Sequence, residues 1–233
     1  MLSMLAASAT NAPSVTLNLG SSLSKPSESI VILIAVTLLG VAPSLLIMLT
    51  GFTRMVIVLS LTRQALGLQT TPPNQVIAGL ALIFSLFVMA PTLTQMNHVA
   101  VQPYLNGQLT ASQAFNTGEI PLKQWMLRQT DAPELTLAQS EAHQATSVPP
   151  AAAIPLGTLV PAFMLSQLKS AFIIGFVIFI PFLIIDLLVS STLMSMGMMM
   201  LPPTLVSLPF KILLFVMVDG WTLVVRSLLQ SYH

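Results

Sequence analysis

Four long apolar runs, separated by more polar stretches, dominate the pattern of hydrophobic and polar positions along the chain. They occupy residues 30–49, 76–96, 171–193 and 206–229. A helix of about 20 residues crosses the hydrocarbon core of a bilayer, and each run reaches that length. The pattern predicts an all-α membrane protein with two long helical hairpins that flank a small extracytoplasmic helical region.

The connection between the first two runs sets the predicted orientation. It contains Arg54 and Arg63 and no acidic residue, which places it in the cytoplasm by the positive-inside rule. The region between the two hairpins then lies outside the cytoplasm. Glycine and proline punctuate that region and leave predicted short helices near residues 110–116, 122–129 and 136–144.

These boundaries divide the chain into four predicted parts. The N-terminal part is rich in serine and small residues, as in a signal-peptide cleavage region, but it has no basic start and no full apolar core. The predicted parts are a flexible segment with a possible signal remnant over 1–29, a first helical hairpin over 30–96, an extracytoplasmic helical region and linker over 97–170, and a second hairpin over 171–233.

Composition supports a membrane protein and argues against several classes of function. Hydrophobic residues make up 55% of the chain and charged residues 6%, against about 25% charged residues in soluble domains. The net charge is +1, and lysines and arginines form no cluster, so we expect no nucleic-acid partner.

Enzyme chemistry has little support in the sequence. The chain has no cysteine and three widely separated histidines, so neither a thiolate site nor a metal site is expected. It also has no phosphate-binding glycine loop and no nucleophile motif. The sequence therefore predicts no enzyme activity, no metal and no cofactor.

Two opposite charges lie inside the second hairpin. A charge in the middle of a membrane helix costs roughly 2.5 to 3.5 kcal/mol, so it is usually kept for a partner or a task. Asp186 lies 13 residues before Met199, and Lys211 lies 12 residues after it. A hairpin with its tip at Met199 would place both about 18 to 20 Å from that tip. We predict that they pair, within one hairpin or between neighbouring copies; alternatively, Lys211 extends to the membrane interface and Asp186 pairs elsewhere.

Several segments match one family in content and in order. They are GFTRMVIVLSLTRQALG (51–67), PPNQ (72–75), MLRQT (126–130), PAF (161–163), AF (171–172), GF (175–176), FIPF (179–182), ID (185–186), GMMM (197–200), PP (202–203), PFK (209–211) and DGW (219–221). The chain resembles the FliP family of flagellar export-gate proteins. The resemblance is strong over residues 50–91 and 161–221, and it fades before residue 30 and between residues 131 and 155.

The resemblance implies a place in an assembly. Family members form a closed helical gate of five copies with FliQ and FliR, beside other export-apparatus membrane proteins, and unfolded flagellar proteins pass through its centre. This implies the bacterial inner membrane and the flagellar basal body, with the outer region on the periplasmic side. Assembly lifts the subunits largely out of the bilayer plane, so the apolar runs need not be simple spans.

The resemblance also implies roles for the turn between the third and fourth runs. Methionine side chains are flexible and apolar, so a ring of them can exclude water and then part for a passing chain. The alternative is a tight turn in which methionine fills irregular gaps. The expected roles are a pore gasket of Met198, Met199 and Met200, and a loop hinge of Gly197, Pro202 and Pro203, while Asp186 and Lys211 serve assembly.

Two positions depart from the family pattern. Gln167 stands where the family commonly carries a glutamate, and Ile173 stands where a polar or charged residue is usual. We expect Gln167 and Arg128 to contribute to a contact between subunits, in which Gln167 would donate or accept hydrogen bonds rather than form an ion pair.

Three other functions stay open on the sequence alone. The chain could be a relative from the virulence branch of the same family, although GFTR at 51–54 and the Pro202–Pro203 pair resemble the flagellar branch. It could be an ion or proton channel or transporter in which Asp186 titrates, but no chain of titratable groups and no inverted repeat is evident. A membrane scaffold without a pore is the third.

Overall fold

The computed structural model describes residues 26–142, 154–198 and 201–232, and within them it is helical with no strand. This confirms the predicted all-α fold. The helices are α1 (Pro26–Met48), α2 (Phe52–Ala65), α3 (Asn74–Met96), a π-helix (Asn97–Val101), α4 (Gln102–Leu105), α5 (Ala111–Arg128), α6 (Ala132–Glu141), α7 (Leu156–Ser195), α8 (Pro203–Met217) and α9 (Gly220–Gln230).

The chain forms two compact units, Met1–Pro43 and Ser44–His233. In the second unit, α2 packs along α7, and α3, α6 and α8 lie against one or other of these two helices. Positions 55, 58, 59 and 62 of α2 and positions 159, 162, 163 and 166 of α7 are buried. Both sets repeat every three or four residues, so each forms one helical face. The core of this unit lies between those two faces.

The connection between the first two runs is itself a helix, which the sequence analysis did not predict. α2 contains Arg54 and Arg63, and its average hydropathy is too low for a membrane run. Its apolar face is nevertheless continuous, with Met55 and Val58 fully buried. Counting long apolar runs finds spans and misses a helix of mixed composition that packs inside the protein.

The four apolar runs form helices that differ in their capacity to cross a membrane. Two continuous helical stretches, Asn74–Leu105 and Leu156–Ser195, are long and apolar enough to cross a membrane. Pro203–Met217 and Gly220–Gln230 make a third only if taken as one span, because they meet at a 64° bend. The apolar stretch Ile30–Leu45 in α1 is shorter.

Two predicted boundaries also differ from the structure. The outer region was expected to end at residue 170, but α7 runs unbroken from Leu156 to Ser195. Two of the predicted short helices, near 110–116 and 122–129, are one helix, α5, which continues through Gly118 and Pro121. A proline inside a helix removes one hydrogen bond, which packing can offset; here Pro121 is buried.

The bend in the fourth run has a local cause. Asp219 has a left-handed backbone with φ 52°, which stops α8 and starts α9 in a new direction. A Cβ on the next residue, Gly220, would clash with the ring of Phe215, so only glycine fits there. The bend is therefore fixed by packing.

Candidate functional site

The two charges of the second hairpin lie together. Lys211 Nζ on α8 is 2.6 Å from Asp186 Oδ2 on α7, and the side chains are 4% and 24% exposed. The contact is within one chain, which is one of the two arrangements the depth count allowed. The role of the pair in assembly stays a prediction.

Two further groups complete this pair, and the sequence analysis missed both. Ser207 Oγ donates to Asp186 Oδ1 at 2.5 Å, and Lys211 Nζ also donates to the carbonyl oxygen of Ala65, at the end of α2, at 3.3 Å. Ser207 precedes Lys211 by one helical turn, so both donors project from the same face of α8. That spacing in an otherwise apolar helix was the available signal. The carboxylate therefore joins α7 to α8, and the ammonium group joins both to α2.

The turn at the end of this hairpin begins with a complete helix stop. Gly197 has φ 72°, its N–H donates to Met194 O at 3.1 Å, and Met198 N–H donates to Leu193 O at 3.0 Å. These two bonds form a Schellman motif, in which a left-handed glycine closes a helix. Pro203 is the first residue of α8, a position that tolerates proline because no N–H is required there. Gly197 thus fixes where α7 ends, and Pro202 and Pro203 fix where α8 begins.

The methionines of this turn point away from the chain's own core. Met198 is 43% exposed, and Met194, Met196 and Leu201 are also exposed. Met199 and Met200 lie outside the described residues. The described part of the turn is therefore an apolar surface that the chain itself does not cover, whereas the gap-filling alternative requires buried methionine. The assignment of Met198, Met199 and Met200 as a pore gasket remains a prediction.

The expected contact of Gln167 with another subunit is not available in this structure. Gln167 is fully buried on α7, and its Oε1 lies 3.1 Å from the Tyr232 hydroxyl. Its Nε2 donates to the carbonyl of Gln129 at 3.4 Å. The side chain is held inside the chain because these polar groups satisfy each other away from water. Arg128, by contrast, is exposed at the end of α5 and is accessible to another molecule.

Tyr232 forms the centre of a polar cluster that sequence reasoning did not find. Its hydroxyl donates toward Gly51 O at 2.9 Å, and the Arg54 guanidinium lies 4.2 Å above its ring. Arg54 Nη1 donates to the carbonyl and hydroxyl oxygens of Ser231, at 2.9 and 3.0 Å. The ring of Trp125 also stacks with the Tyr232 ring, with 6.4 Å between centroids. The residues after α9 are thus held against α2 and α5. Arg54 lies at one cavity with Arg128 and Asp131 of the outer region, which differs from the predicted placement of its connection on the opposite side of a membrane.

Burial changes the protonation equilibria in this cluster. Desolvation raises the pKa of Tyr232 above its ordinary value of 10.0, although the Arg54 charge opposes that shift. Desolvation also lowers the pKa of Arg54 below its ordinary value. Tyr232 is therefore neutral at physiological pH, and its hydroxyl remains a hydrogen-bond donor.

Catalytic or metal chemistry gains no support from the arrangement of titratable groups. In residues 26–142, 154–198 and 201–232, no three histidine, aspartate or glutamate side chains come together to hold a metal ion. Three of the described carboxylates instead join helices of the chain: besides Asp186 of the second hairpin, Asp131 and Glu134 contact Lys169 on α7, at 3.0 and 2.9 Å.

Comparison with known proteins gives a consistent picture over most of the chain. A model of the FliP family matches residues 35–228. The flagellar biosynthetic protein FliP of Bacillus subtilis (strain 168) is 51% identical over 206 residues, covering 88% of this chain and 93% of the relative. The proteins of the same name from Aquifex aeolicus (strain VF5) and Caulobacter vibrioides are 49% identical over 207 residues and 47% over 221, covering 88% and 94% of this chain and 87% and 82% of the relatives.

Proposed function

The chain belongs to the FliP family of flagellar biosynthetic proteins, and from that membership we propose that it is a core subunit of the flagellar type III protein export gate. In this proposal, about five copies assemble with FliQ and FliR in the bacterial inner membrane, with the outer region on the periplasmic side. The closed assembly surrounds a pore for unfolded flagellar proteins. It acts by holding and releasing a seal, so it needs no catalytic group.

One observation carries the pore proposal: the tip of the α7–α8 hairpin presents exposed methionine that contacts no core of its own chain. Met198 follows the Schellman glycine Gly197, so the helix stop fixes where the apolar surface begins. An exposed apolar surface normally marks a contact with another molecule. In a ring of copies, each tip would meet its neighbours, and flexible methionines would close the opening.

The ion pair gives this hairpin its stiffness. Asp186 joins α7 to Ser207 and Lys211 of α8, well behind the tip. The two helices therefore move as one unit, and the tip can open by bending near Gly197 and Pro202. This use of Asp186 also weighs against the proton-channel alternative, because its carboxylate oxygens are already bound by two donors of its own chain.

Ion leak through the assembled gate tests the seal. The triple variant Met198→Ala, Met199→Ala and Met200→Ala should raise membrane conductance several-fold, because alanine leaves space that water and ions enter. Met217→Ala is the matched control: Met217 is also exposed, but it lies at the far end of α8. Conductance of the triple variant equal to that of the control would rule out the gasket.

A further inference from the structure

A polar cavity of about 640 Å³ lies beside the Tyr232 cluster and has no role in the proposed gate. Its lining combines Arg54 and Arg128 with Ser170 and with the apolar Ile173 and Ile174 of α7. A lining that combines two arginines with two isoleucines matches a ligand that has an anionic part and an apolar part.

Arg54 is a buried cation that needs an anion. It is 3% exposed, and its Nε has no hydrogen-bond partner. Its Nη1 contacts are the neutral oxygens of Ser231, and the carboxylate on the same cavity wall, Asp131, is bound by Lys169. Burial lowers the pKa of the guanidinium although the charge of Asp131 opposes that shift, so the buried cation is incompletely compensated. An anion in the cavity would complete that compensation.

Arg128 supplies a second positive group at the same cavity. It is exposed in the last turn of α5, and no ion pair is formed by it within the described residues. An arginine presents a planar fork of N–H donors that suits two oxygens of one phosphate. Arg54 and Arg128 together therefore favour a phosphate over a neutral ligand.

The position of the cavity along α7 points to a lipid as the source of that phosphate. Ser170 follows Gln167 and Lys169, which interrupt the apolar sequence of α7, and it precedes the apolar run 171–193, so the cavity lies at the edge of that run. Beyond it, Phe172, Ile173 and Phe176 are exposed on the same helix. Lipid headgroups lie at this kind of boundary, and acyl chains cover the apolar surface next to it.

We propose that this cavity binds the phosphate of an anionic phospholipid, with Arg54 and Arg128 at the phosphate oxygens and an acyl chain along Ile173 of α7. The site is separate from the methionine turn and does not depend on the gate function. Bound lipid would contact α2, α5 and α7 at this cavity and hold the three helices together.

The test measures phosphatidylglycerol binding to the full chain purified in detergent, by native mass spectrometry. Arg128→Gln should weaken binding about tenfold, the order expected for a lost charge-assisted contact. Arg128 is chosen because it is exposed, so its replacement spares the core. Arg226→Gln is the matched control: it removes the same charge from an exposed position on α9, outside this cavity, and should leave binding unchanged.

Four results would overturn the proposal. Equal weakening in both variants would mean general charge attraction. Diacylglycerol that binds as tightly as phosphatidylglycerol would exclude a phosphate contact, and inorganic phosphate that displaces the lipid at similar concentration would indicate a free-anion site. If Arg128→Gln instead abolishes self-association of the chain and leaves lipid binding intact, the cavity receives an acidic group of a second copy.

Discussion

The two halves of α7 differ in how they are stabilised, although they are one continuous helix. From Thr158 to Phe182, a regular face is buried against the chain's own helices and includes the polar Ser166 and Gln167. From Leu183 to Ser195, no residue is buried, and apolar side chains such as Leu187 and Leu188 are exposed. Polar side chains of α7 are therefore buried only in its first half, from Thr158 to Phe182.

This difference shows what each half requires. Burial in the first half depends on matched polar contacts: Ser166 Oγ accepts the N–H of Asp131, and Gln167 meets Tyr232. The second half contributes one ionic contact, from Asp186, and otherwise offers apolar surface to a bilayer or to other copies. The first half therefore folds the subunit, and we expect the second half to act in the assembly.

The ion pair between Asp186 and Lys211 is the contact that joins the second half of α7 to the rest of its own chain. Its removal should therefore have the largest effect on stability and on assembly. Lys211→Met leaves Asp186 without its cation, and loss of one partner of a buried pair costs about 3 to 5 kcal/mol. Thermal unfolding of the purified chain and the yield of assembled complex both measure this. We expect lower values of both.

The matched control lies in the first half of the same helix. Lys169→Met also removes an ion-paired lysine, here one with two carboxylate partners, but Lys169 is 45% exposed, so the loss of stability should be much smaller. The double variant Asp186→Asn with Lys211→Met should recover part of the loss. Equal effects of Lys211→Met and Lys169→Met would contradict the buried-pair explanation.

The first half should respond to the loss of one hydroxyl. Tyr232→Phe keeps the ring but removes the donor to the buried Gln167 Oε1, while Gly51 O keeps the N–H of Met55; the loss costs about 1 to 3 kcal/mol. Denaturant unfolding of the purified chain measures the difference. We expect the complex to assemble normally once folded, because this cluster is inside one subunit.

The other tyrosine serves as the control for this change. Tyr104 is exposed, so Tyr104→Phe should leave the unfolding free energy unchanged. The pKa of Tyr232 is raised in the folded chain, so the stability from its neutral form is complete below pH 10 and decreases as pH rises above it. Tyr232→Phe should remove that alkaline decrease, and a decrease that persists would assign it to another group.

The sequence predicted features that depend on local pattern. The all-helical fold follows from long apolar runs, and the depth count anticipated that Asp186 and Lys211 could meet. The start of α7 at Leu156 was missed because Gln167 and Lys169 interrupt the apolar run, although their side chains are accommodated in the same helix. α2 was missed because polar residues lie between the residues of its packing face in the sequence, which leaves no long apolar run.

Long-range polar contacts could not be predicted in this way. Tyr232 and Gly51 are 181 positions apart, and neither residue signals a partner by its neighbours. A Cβ at Gly51 would lie 2.8 Å from the Tyr232 hydroxyl, so the glycine of the GFTR segment makes room for this side chain. The need for glycine at this position is evident only from the three-dimensional structure. The internal contact of Gln167 with Tyr232 is likewise evident only from the structure, whereas the resemblance assigned Gln167 to a subunit contact.

A substitution at the exposed surface of the second half should have the smallest effect on the isolated chain and should therefore separate folding from assembly. Leu187→Ser changes an exposed side chain, so the unfolding free energy of the purified chain should stay within about 0.5 kcal/mol of wild type. Leu159→Ser, in the buried half, should cost several times more and prevent folding of the unit.

If Leu187 contacts a neighbouring copy, its serine variant should fold normally yet give less complex on gel filtration. Normal complex yield from Leu187→Ser would instead place this face against lipid, because a single serine disturbs a fluid bilayer less than a packed interface.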